Sequence, residues 1–244
     1  MKYVLYIIAL VACVGVARAE EVTLDKGGFK LTYDCTNRTA LRYEYSLTTD
    51  TGSAARPSSF YTDPDLPSGC LQQTSTASYA SVKTGYDRGH LVTSNHMDAT
   101  STYIKRANYM TNIVPQISTF NQGIWVQAEN VAECYRDVAP LTVYGGLVYS
   151  DTSNDYFLSS HGIRTPEYFW KTIITTDPST GAKKAISWYI PNREGLSTLN
   201  SYIVSIAELE TILGASRVGI TATAAVKAQK PTTTWALPSG CDLS

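Results

Sequence analysis

The sequence reads YFWKTIITT at residues 168–176, DPSTG at residues 177–181 and AISWYI at residues 185–190. Runs rich in β-branched and aromatic residues on either side of a short turn that contains Pro and Gly are typical of a β-hairpin. Strands joined by so short a turn pair antiparallel. This part of the chain therefore predicts an antiparallel sheet.

Loop-like and strand-like segments also occur on the N-terminal side of this hairpin. Residues 50–85 are rich in Ser, Thr, Pro and Gly, and we expect them to cross the surface as a loop with little regular structure. Apolar and aromatic patterns predict further strands at Leu41 to Thr48, Tyr86 to Val92 and Leu141 to Tyr149.

Three segments have the apolar spacing of helices. Thr100 to Tyr109 predicts a short helix, and Ile203 to Leu213 predicts an amphipathic helix that ends at Gly214. In Asn121 to Tyr135, apolar residues recur at positions 124, 128, 131, 132 and 135, and we expect Asn121 to cap the start of this helix. Hairpins separated from helices favour an α+β fold, with a central antiparallel sheet flanked by helices.

The N-terminus has the order of a secretory signal peptide. Lys2 precedes an apolar run from Val4 to Val16, which ends at the small-residue cleavage pattern Ala17-Arg18-Ala19. This run is shorter than the roughly 20 apolar residues of a membrane-spanning helix. The sequence therefore predicts a signal peptide at residues 1–19 and a secreted, extracellular protein without a membrane segment, in which residues 20–244 form a single domain.

The charge of the exported chain is close to balanced. Without residues 1–19 it carries 18 basic and 21 acidic side chains, or −3. Proteins that bind nucleic acid often have a basic excess, and this chain has none. Any binding of phosphate groups must therefore depend on a local cluster of arginines.

The cysteines also fit an exported protein. Cys13 lies in the predicted signal peptide, and the remaining four are Cys35, Cys70, Cys134 and Cys241. An even number predicts two disulfides with three possible connectivities, and the lack of C-x-x-C spacing disfavours a zinc site. We expect a disulfide through Cys241 to hold the C-terminal tail against the domain. Asn37 begins a glycosylation sequon.

The tetrad Asp87-Arg88-Gly89-His90 stands at the end of a predicted strand. A histidine in such a place is by itself more often structural. Two downstream segments change this interpretation: TNIVPQ at residues 111–116 and FNQGIW at residues 120–125, with Glu129 eight residues after Asn121. Eight residues are slightly more than two helical turns, so we expect Asn121 and Glu129 on the same side of the helix.

The ordered set D-R-G-H, N-I-x-P-Q, N-x-G-x-W and a later Glu resembles the DNA/RNA non-specific endonuclease family, part of the ββα-metal (His-Me finger) nucleases that include mitochondrial endonuclease G. The resemblance covers about residues 40–215 and leaves residues 216–244 as a C-terminal extension. Weaker similarities extend it: Arg56 before Thr62-Asp63-Pro64, Tyr144-Gly145-Gly146, and Glu208-Leu209-Glu210. It implies a ββα-metal active-site motif and an endonuclease that hydrolyses phosphodiester bonds of DNA and RNA.

The resemblance also implies roles for individual residues. His90 is the general base that takes a proton from the attacking water. Asn121 is the direct protein ligand of one Mg²⁺, which Mn²⁺ can replace, and Glu129 accepts hydrogen bonds from the waters around the ion. Asn112 positions the site by hydrogen bonding. The products are 5′-phosphate and 3′-hydroxyl ends.

Arginines are the expected phosphate ligands, because a guanidinium matches a phosphate edge with two hydrogen bonds. The resemblance assigns this role to Arg56 and Arg88. The family often carries a further Arg four residues after the helix Glu, but this chain has Glu133 there, and Arg136 is the candidate substitute. Within the tetrad, we interpret Asp87 and Gly89 as framework, with Gly89 permitting a close approach of the backbone.

The other two histidines receive no catalytic role. His96 is interpreted as an exposed or packed loop residue rather than a second titrating group, and His161 as a loop residue.

Three other functions are alternatives to a nuclease. The first is a catalytically weak nuclease-fold effector or nucleic-acid-binding protein, which predicts a missing core residue, although His90, Asn121, Glu129 and Arg88 are all present. The second is a zinc hydrolase that uses His90 and His96, but the sequence lacks H-E-x-x-H. The third is a carbohydrate-binding domain, which fits the 17 tyrosines but leaves the ordered motifs unexplained.

Overall fold

A computed structural model describes residues 21–243, so the predicted signal peptide at residues 1–19 lies outside the described part of the chain. The strands within this part are β1 (Glu21–Asp25), β2 (Lys30–Asp34), β3 (Thr39–Leu47), β4 (Tyr86–His90), β5 (Ile113–Ile117), β6 (Leu141–Val148), β7 (Tyr168–Thr176), β8 (Lys183–Pro191) and β9 (Ile203–Val204). The helices are α1 (Ser101–Ala107), α2 (Val126–Arg136), α3 (Ile206–Leu213), α4 (Ala215–Val218) and α5 (Ala224–Lys227).

Seven strands form one sheet in the order β1-β2-β3-β6-β7-β8-β9, and every neighbouring pair is antiparallel. The predicted hairpin is its β7–β8 pair, which runs from Tyr168 opposite Pro191 to Thr176 opposite Lys183. The helices lie outside this sheet, so the predicted α+β architecture is confirmed. β1 and β2 had not been predicted, because their five-residue runs are too short to stand out from loop.

The two remaining strands form a small sheet of their own. β4 pairs antiparallel with β5, placing His90 opposite Ile113 and Gly89 opposite Val114. A side-chain carbon on Gly89 would overlap the side chain of Gln116, which is buried, so glycine at this position lets that side chain lie against β4. β5 was missed in the sequence because Pro115 interrupts its pattern, and a two-stranded sheet tolerates proline at its edge.

The chain enters α2 through a π-helical segment, Phe120–Trp125, rather than through a regular helix turn. The i to i+5 spacing of a π-helix brings Phe120 over Trp125, whose ring centroids lie 5.4 Å apart, and both rings pack on Phe169 of β7. The predicted cap is therefore wrong: Asn121 lies inside this segment. The anchored rings leave Asn121 and Gln122 directed towards β4.

Helix α3 is shorter than predicted. Ile203 and Val204 belong to strand β9, and Ser205 then caps α3 in a reciprocal capping box with Glu208. The helix ends at Gly214, which has a positive φ of 89°, as the sequence indicated.

The structure contains two disulfides, Cys35–Cys70 and Cys134–Cys241. The second joins α2 to the C-terminal tail, as expected for Cys241. The tail also packs through Trp235, whose ring lies 5.0 Å from that of Tyr135, and it brings Leu243 to the edge of the main cleft. Residues 216–243 are therefore part of the packed body. Between residues 21 and 243, no helix has the length and apolar character needed to cross a membrane.

Candidate active site

A cleft of about 440 Å³ lies where β4, the segment after it and α2 meet. Its lining brings together five of the residues selected from the sequence: Arg56, Arg88, His90, Asn121 and Glu129. Asn121 and Glu129 line the same cleft, so the predicted common side of the helix is confirmed. The antiparallel β4–β5 pair and α2 are the ββα unit. Together with the π-helical segment that leads into α2, this unit carries Arg88, His90, Asn121 and Glu129, whereas Arg56 lies in the loop before β4.

Asn108 fixes the orientation of the His90 ring. The amide nitrogen Nδ2 of Asn108 donates to the carbonyls of Pro57 and Ser59, at 2.9 and 3.0 Å, which turns its oxygen Oδ1 towards His90 Nε2 at 2.9 Å. An amide oxygen only accepts hydrogen bonds, so Nε2 carries the imidazole proton. The other ring nitrogen, Nδ1, is then the basic atom, as a proton acceptor requires.

The surroundings of His90 keep its ring neutral. Burial lowers the pKa of His90 to about 4, and Arg56 and Arg88 contribute in the same direction, against the hydrogen bond with Asn108. Because the pKa in the folded state lies below the ordinary value of 6.5, the proton-accepting form is present throughout the neutral range. The stability associated with this neutral form is lost as the pH falls through 6.5 towards 4.

A titration of the histidine ring protons by NMR is expected to show this shift directly. The chain contains three histidines, and the pKa of each is lowered by burial, so we expect every midpoint to lie below 6.5 and that of His90 to lie near pH 4. The His90→Ala variant assigns the signal. A midpoint at or above 6.5 for His90 would contradict the buried, amide-bound geometry.

Asp87 organises the residue that is expected to bind the metal. Its carboxylate accepts hydrogen bonds from Asn121 Nδ2 at 2.9 Å, Gln122 Nε2 at 2.8 Å and Ser118 Oγ at 2.7 Å. Burial opposes ionisation of Asp87, but these three donors outweigh it and the pKa of Asp87 is lowered. An ionised carboxylate only accepts, so Asn121 must present its nitrogen to Asp87, which leaves its oxygen Oδ1 for the cleft.

This donor arrangement fits a hard cation such as Mg²⁺. A neutral amide oxygen supplies one ligand, and Mg²⁺ characteristically keeps several waters beside a few protein oxygens and substrate phosphates. Among residues 21–243, no three His, Cys, Asp or Glu side chains converge to hold a metal. The two histidines of the zinc alternative are also occupied by protein groups: His90 Nε2 by Asn108, and His96 by Tyr45 and Glu133.

Glu129 presents one half of its carboxylate to the protein. Its oxygen Oε1 accepts a hydrogen bond from Thr93 Oγ1 at 2.7 Å and lies 3.5 Å from the ammonium of Lys171. No hydrogen bond engages Oε2 within residues 21–243. Glu129 lines the cleft, and its side chain is 12% exposed. Oε2 is thus the oxygen available to water in the cleft.

Two arginines line the same cleft. The guanidinium of Arg88 lies 4.0 Å from the ring centroid of Phe60 and donates through Nη1 to the Thr76 carbonyl at 2.7 Å, which fixes its plane while its other N–H groups remain unengaged by the described residues. Arg56 is exposed at the rim of the same cleft.

Two further predicted residues lie outside the cleft lining. Asn112 is fully buried and bonds the backbone of Val92 through both of its amide atoms, and that of Ala107 through Nδ2, so it positions the segment that follows His90 without reaching the cleft. Arg136 is 5% exposed and bonds the Thr48 carbonyl at 2.8 Å. The structure therefore does not bring Arg136 to the other arginines.

Glu133, four residues after Glu129, belongs to a buried group of ionisable side chains. It lies 3.2 Å from His96 Nε2 and 3.5 Å from Arg136 Nη1. Burial raises the pKa of Glu133 to about 7. His96 is 4% exposed and packs against Tyr45, so the interpretation of His96 as a packed residue is confirmed.

Sequence reasoning missed Asn108, Thr93 and Lys171. Asn108 follows helix α1, and Thr93 follows β4 by three residues, so neither has a distinctive sequence context. Lys171 stands in the middle of an apolar strand, where a lone lysine was the available signal.

Comparison with known proteins agrees with this architecture. The model of the DNA/RNA non-specific endonuclease family matches residues 14–229. Relatives include a nuclease of Nostoc sp., 27% identical over 78% of this chain and 70% of its own length, and a nuclease of Serratia marcescens, 26% identical over 80% and 74%. A chain from the crystal structure of the EndoG/EndoGI complex shares the fold with a TM-score of 0.63 at 18% identity, over 82% of this chain and 84% of that one.

These findings define a nucleic-acid-hydrolysing enzyme with the ββα-metal nuclease fold. The chain belongs to the DNA/RNA non-specific endonuclease family, whose model it matches over most of its length.

Proposed function

We propose that this protein is a secreted endonuclease that hydrolyses phosphodiester bonds of DNA and RNA with one Mg²⁺ and the general base His90. The proposal rests on the hydrogen bonds of two side-chain amides, Asn108 and Asn121. Asn108 accepts from His90 Nε2, so the other ring nitrogen, Nδ1, is basic. Asn121 donates its amide nitrogen to Asp87, so its oxygen Oδ1 is left for the cleft. Both atoms belong to side chains of one cleft.

His90 acts on the attacking water. Its neutral Nδ1 accepts a proton from the water, and the oxygen attacks phosphorus in line with the bond to the 3′-oxygen. Asn108 stabilises the ring that has gained the proton, because Nε2 keeps its donor contact with the amide oxygen. Breaking the bond to the 3′-oxygen leaves a 5′-phosphate, and the departing oxygen takes a proton from solvent water to become a 3′-hydroxyl.

Several groups that line the cleft balance the negative charge of the phosphate in this proposal. Asn121 Oδ1 would hold the Mg²⁺, with Mn²⁺ as a substitute, and Glu129 Oε2 would orient it through water. When bound, the ion supplies Lewis-acid stabilisation of the phosphate and of the leaving oxygen. Arg88 and Arg56 bind the non-bridging phosphate oxygens. We leave Arg136 out of this role, because it is buried among protein partners.

The range of nucleic acids that the enzyme can cut follows from the part of the substrate that these groups contact. Each one addresses the phosphate, the ion or the attacking water, and contacts to phosphate carry no base sequence. The attack needs no 2′-hydroxyl. Both DNA and RNA are therefore substrates in this proposal, bound through their backbones.

Secretion is supported by two independent features. Residues 1–19 have the order of a signal peptide, and the two disulfides are typical of an oxidising compartment. Residues 20–244 then form one nuclease domain, which includes the C-terminal tail because Cys241 is bonded to α2.

Incubation of the purified protein with supercoiled plasmid and with a defined RNA tests the proposal. We expect Mg²⁺ to support nicking of the plasmid and cleavage of the RNA, EDTA to stop both, and added Mg²⁺ or Mn²⁺ to restore both. The new ends should accept extension by a polymerase, which needs a 3′-hydroxyl. Cleavage that persists in EDTA, or ends that carry a 3′-phosphate, would contradict this mechanism.

The alternative is a nuclease-fold effector or nucleic-acid-binding protein with little catalysis. The same assay separates the two, because such a protein would retard DNA in a gel without cutting it.

A further inference from the structure

Lys171 is a buried lysine in the central sheet that faces the active site. It lies on β7, its side chain is 0% exposed, and its ammonium stands 4.2 Å from the centroid of the Trp125 ring. Within residues 21–243, the one side chain that pairs with Nζ is Glu129, through a long contact of 3.5 Å to its oxygen Oε1.

A lysine buried at this position costs free energy on folding, so its presence needs an explanation. Burying an ammonium removes its hydration, and burial accordingly lowers the pKa of Lys171, whereas Glu129 opposes that shift. Phe169 and Ile173, two residues away on either side of the same strand, share its face and are buried apolar residues, so an apolar side chain would suit the packing. Fold stability alone gives no account of a lysine here.

The contacts of Glu129 supply the reason. Oε1 is held from within the protein by the Thr93 hydroxyl and the Lys171 ammonium, while Oε2 has no hydrogen-bond partner within residues 21–243. A carboxylate held at one oxygen is fixed in rotation as well as in place. Trp125, which supports the ammonium, ends the π-helical segment that carries Asn121. One buried cation thus contacts both the acid and the segment that presents the amide.

We propose that Lys171 is a positioning residue of the nuclease site, which holds Glu129 by Oε1 so that Oε2 faces the waters around the cation. This inference rests on the proposed function, because it assumes that Glu129 orients those waters. Lys171 touches neither substrate nor ion and acts through Glu129. Thr93 is the second support of the same oxygen.

The test compares Lys171→Met in the wild-type and in the Glu129→Gln background. Methionine is unbranched and flexible like lysine, one atom shorter and uncharged, so it fills most of the same space in the core. In the wild-type background we expect cleavage about 10- to 100-fold slower and a weaker affinity for Mn²⁺, measured as free Mn²⁺ by electron paramagnetic resonance. In the Glu129→Gln background we expect no further change in either quantity.

Lys184→Met is the matched control. Lys184 also stacks on an aromatic ring, 4.4 Å from the centroid of Tyr135, but it lies on the neighbouring strand β8 outside the cleft. We expect its rate and Mn²⁺ affinity to equal those of the wild type. Unfolding in urea monitors stability in every variant, and Lys171→Gln repeats the test if the Met variant does not fold.

Different results would contradict the positioning role of Lys171 and the proposed nuclease function. If Lys171→Met slows cleavage equally in both backgrounds, or leaves Mn²⁺ affinity unchanged, the effect is structural and the positioning role is wrong. If the wild-type protein does not cleave nucleic acid with added metal, the proposed function is wrong. If Glu129→Gln keeps full activity, the role given to Glu129 is wrong. In either case the role of Lys171 is wrong as well.

Discussion

His90→Ala is expected to cut plasmid about 10²- to 10⁴-fold more slowly than the wild-type protein, which is the usual contribution of a general base. The substitution removes Nδ1, the basic atom left free by the bond between Nε2 and Asn108. Phosphate binding by Arg56 and Arg88 does not depend on the imidazole. We therefore expect the loss in kcat, measured from the rate of nicking at saturating plasmid, with KM little changed.

His161→Ala is the control for this loss. His161 is also buried and also makes two side-chain hydrogen bonds, to Ser160 and to the Ala77 carbonyl, but it lies outside the cleft. Both substitutions empty a buried site and are expected to lower the melting temperature. Only His90→Ala should lower kcat. Equal rates for the two variants would remove His90 from the mechanism.

Asn121→Ala is expected to lower cleavage by about 10²-fold or more at limiting Mg²⁺, because several kcal/mol of charge stabilisation depend on the ion. Asn121 supplies the amide oxygen that Asp87 leaves free for the cleft. The remaining candidate contact, Glu129, reaches the ion only through water in our proposal. We expect the dissociation constant for Mn²⁺, measured by titration with the protein alone, to rise in parallel with the loss of rate.

The Gln122→Ala variant distinguishes the loss of a metal ligand from the loss of a hydrogen bond to Asp87. Gln122 is the exposed neighbour of Asn121 and donates to the same carboxylate oxygen, at 2.8 Å. Its loss removes one bond to Asp87 but no expected ligand, so rate and Mn²⁺ affinity should change little. A large loss of Mn²⁺ affinity in Gln122→Ala with none in Asn121→Ala would mean that Asn121 is not the ligand.

The segment that carries Asn121 shows a difference between the structure that the local sequence pattern predicts and the structure that tertiary packing produces. The apolar spacing of residues 121–135 predicted a regular helix capped by Asn121. The packing of Phe120 and Trp125 on Phe169 instead imposes a π-helical entry, since it brings two residues five apart onto one face. Phe169 is distant in sequence, so no local pattern contains this information. The functional expectation still held, because Asn121 and Glu129 line one cleft.

The ionic contacts of Arg136 and Glu133 show the same limit of prediction from the local sequence. A helical projection places Arg136 one turn beyond Glu133, which made it the candidate substitute for the family's arginine. The segment around Thr48 and Asp50 covers it with a carbonyl and a carboxylate instead. That segment lies more than eighty residues away along the chain, and only the folded chain brings it to α2.

The sequence by itself determined the class of fold, the nuclease family, and the candidate residues His90, Asn121, Glu129, Arg88 and Arg56, because short motifs and the hairpin pattern are local properties. Only the tertiary structure decided which atom of each active-site side chain is available for chemistry in the cleft. Asn108 determines which nitrogen of His90 is basic, Asp87 determines which atom of Asn121 faces the cleft, and Lys171 with Thr93 fixes one oxygen of Glu129. Each of these contacts joins residues from different elements, and a hydrogen bond depends on distance and direction in space rather than on separation along the chain.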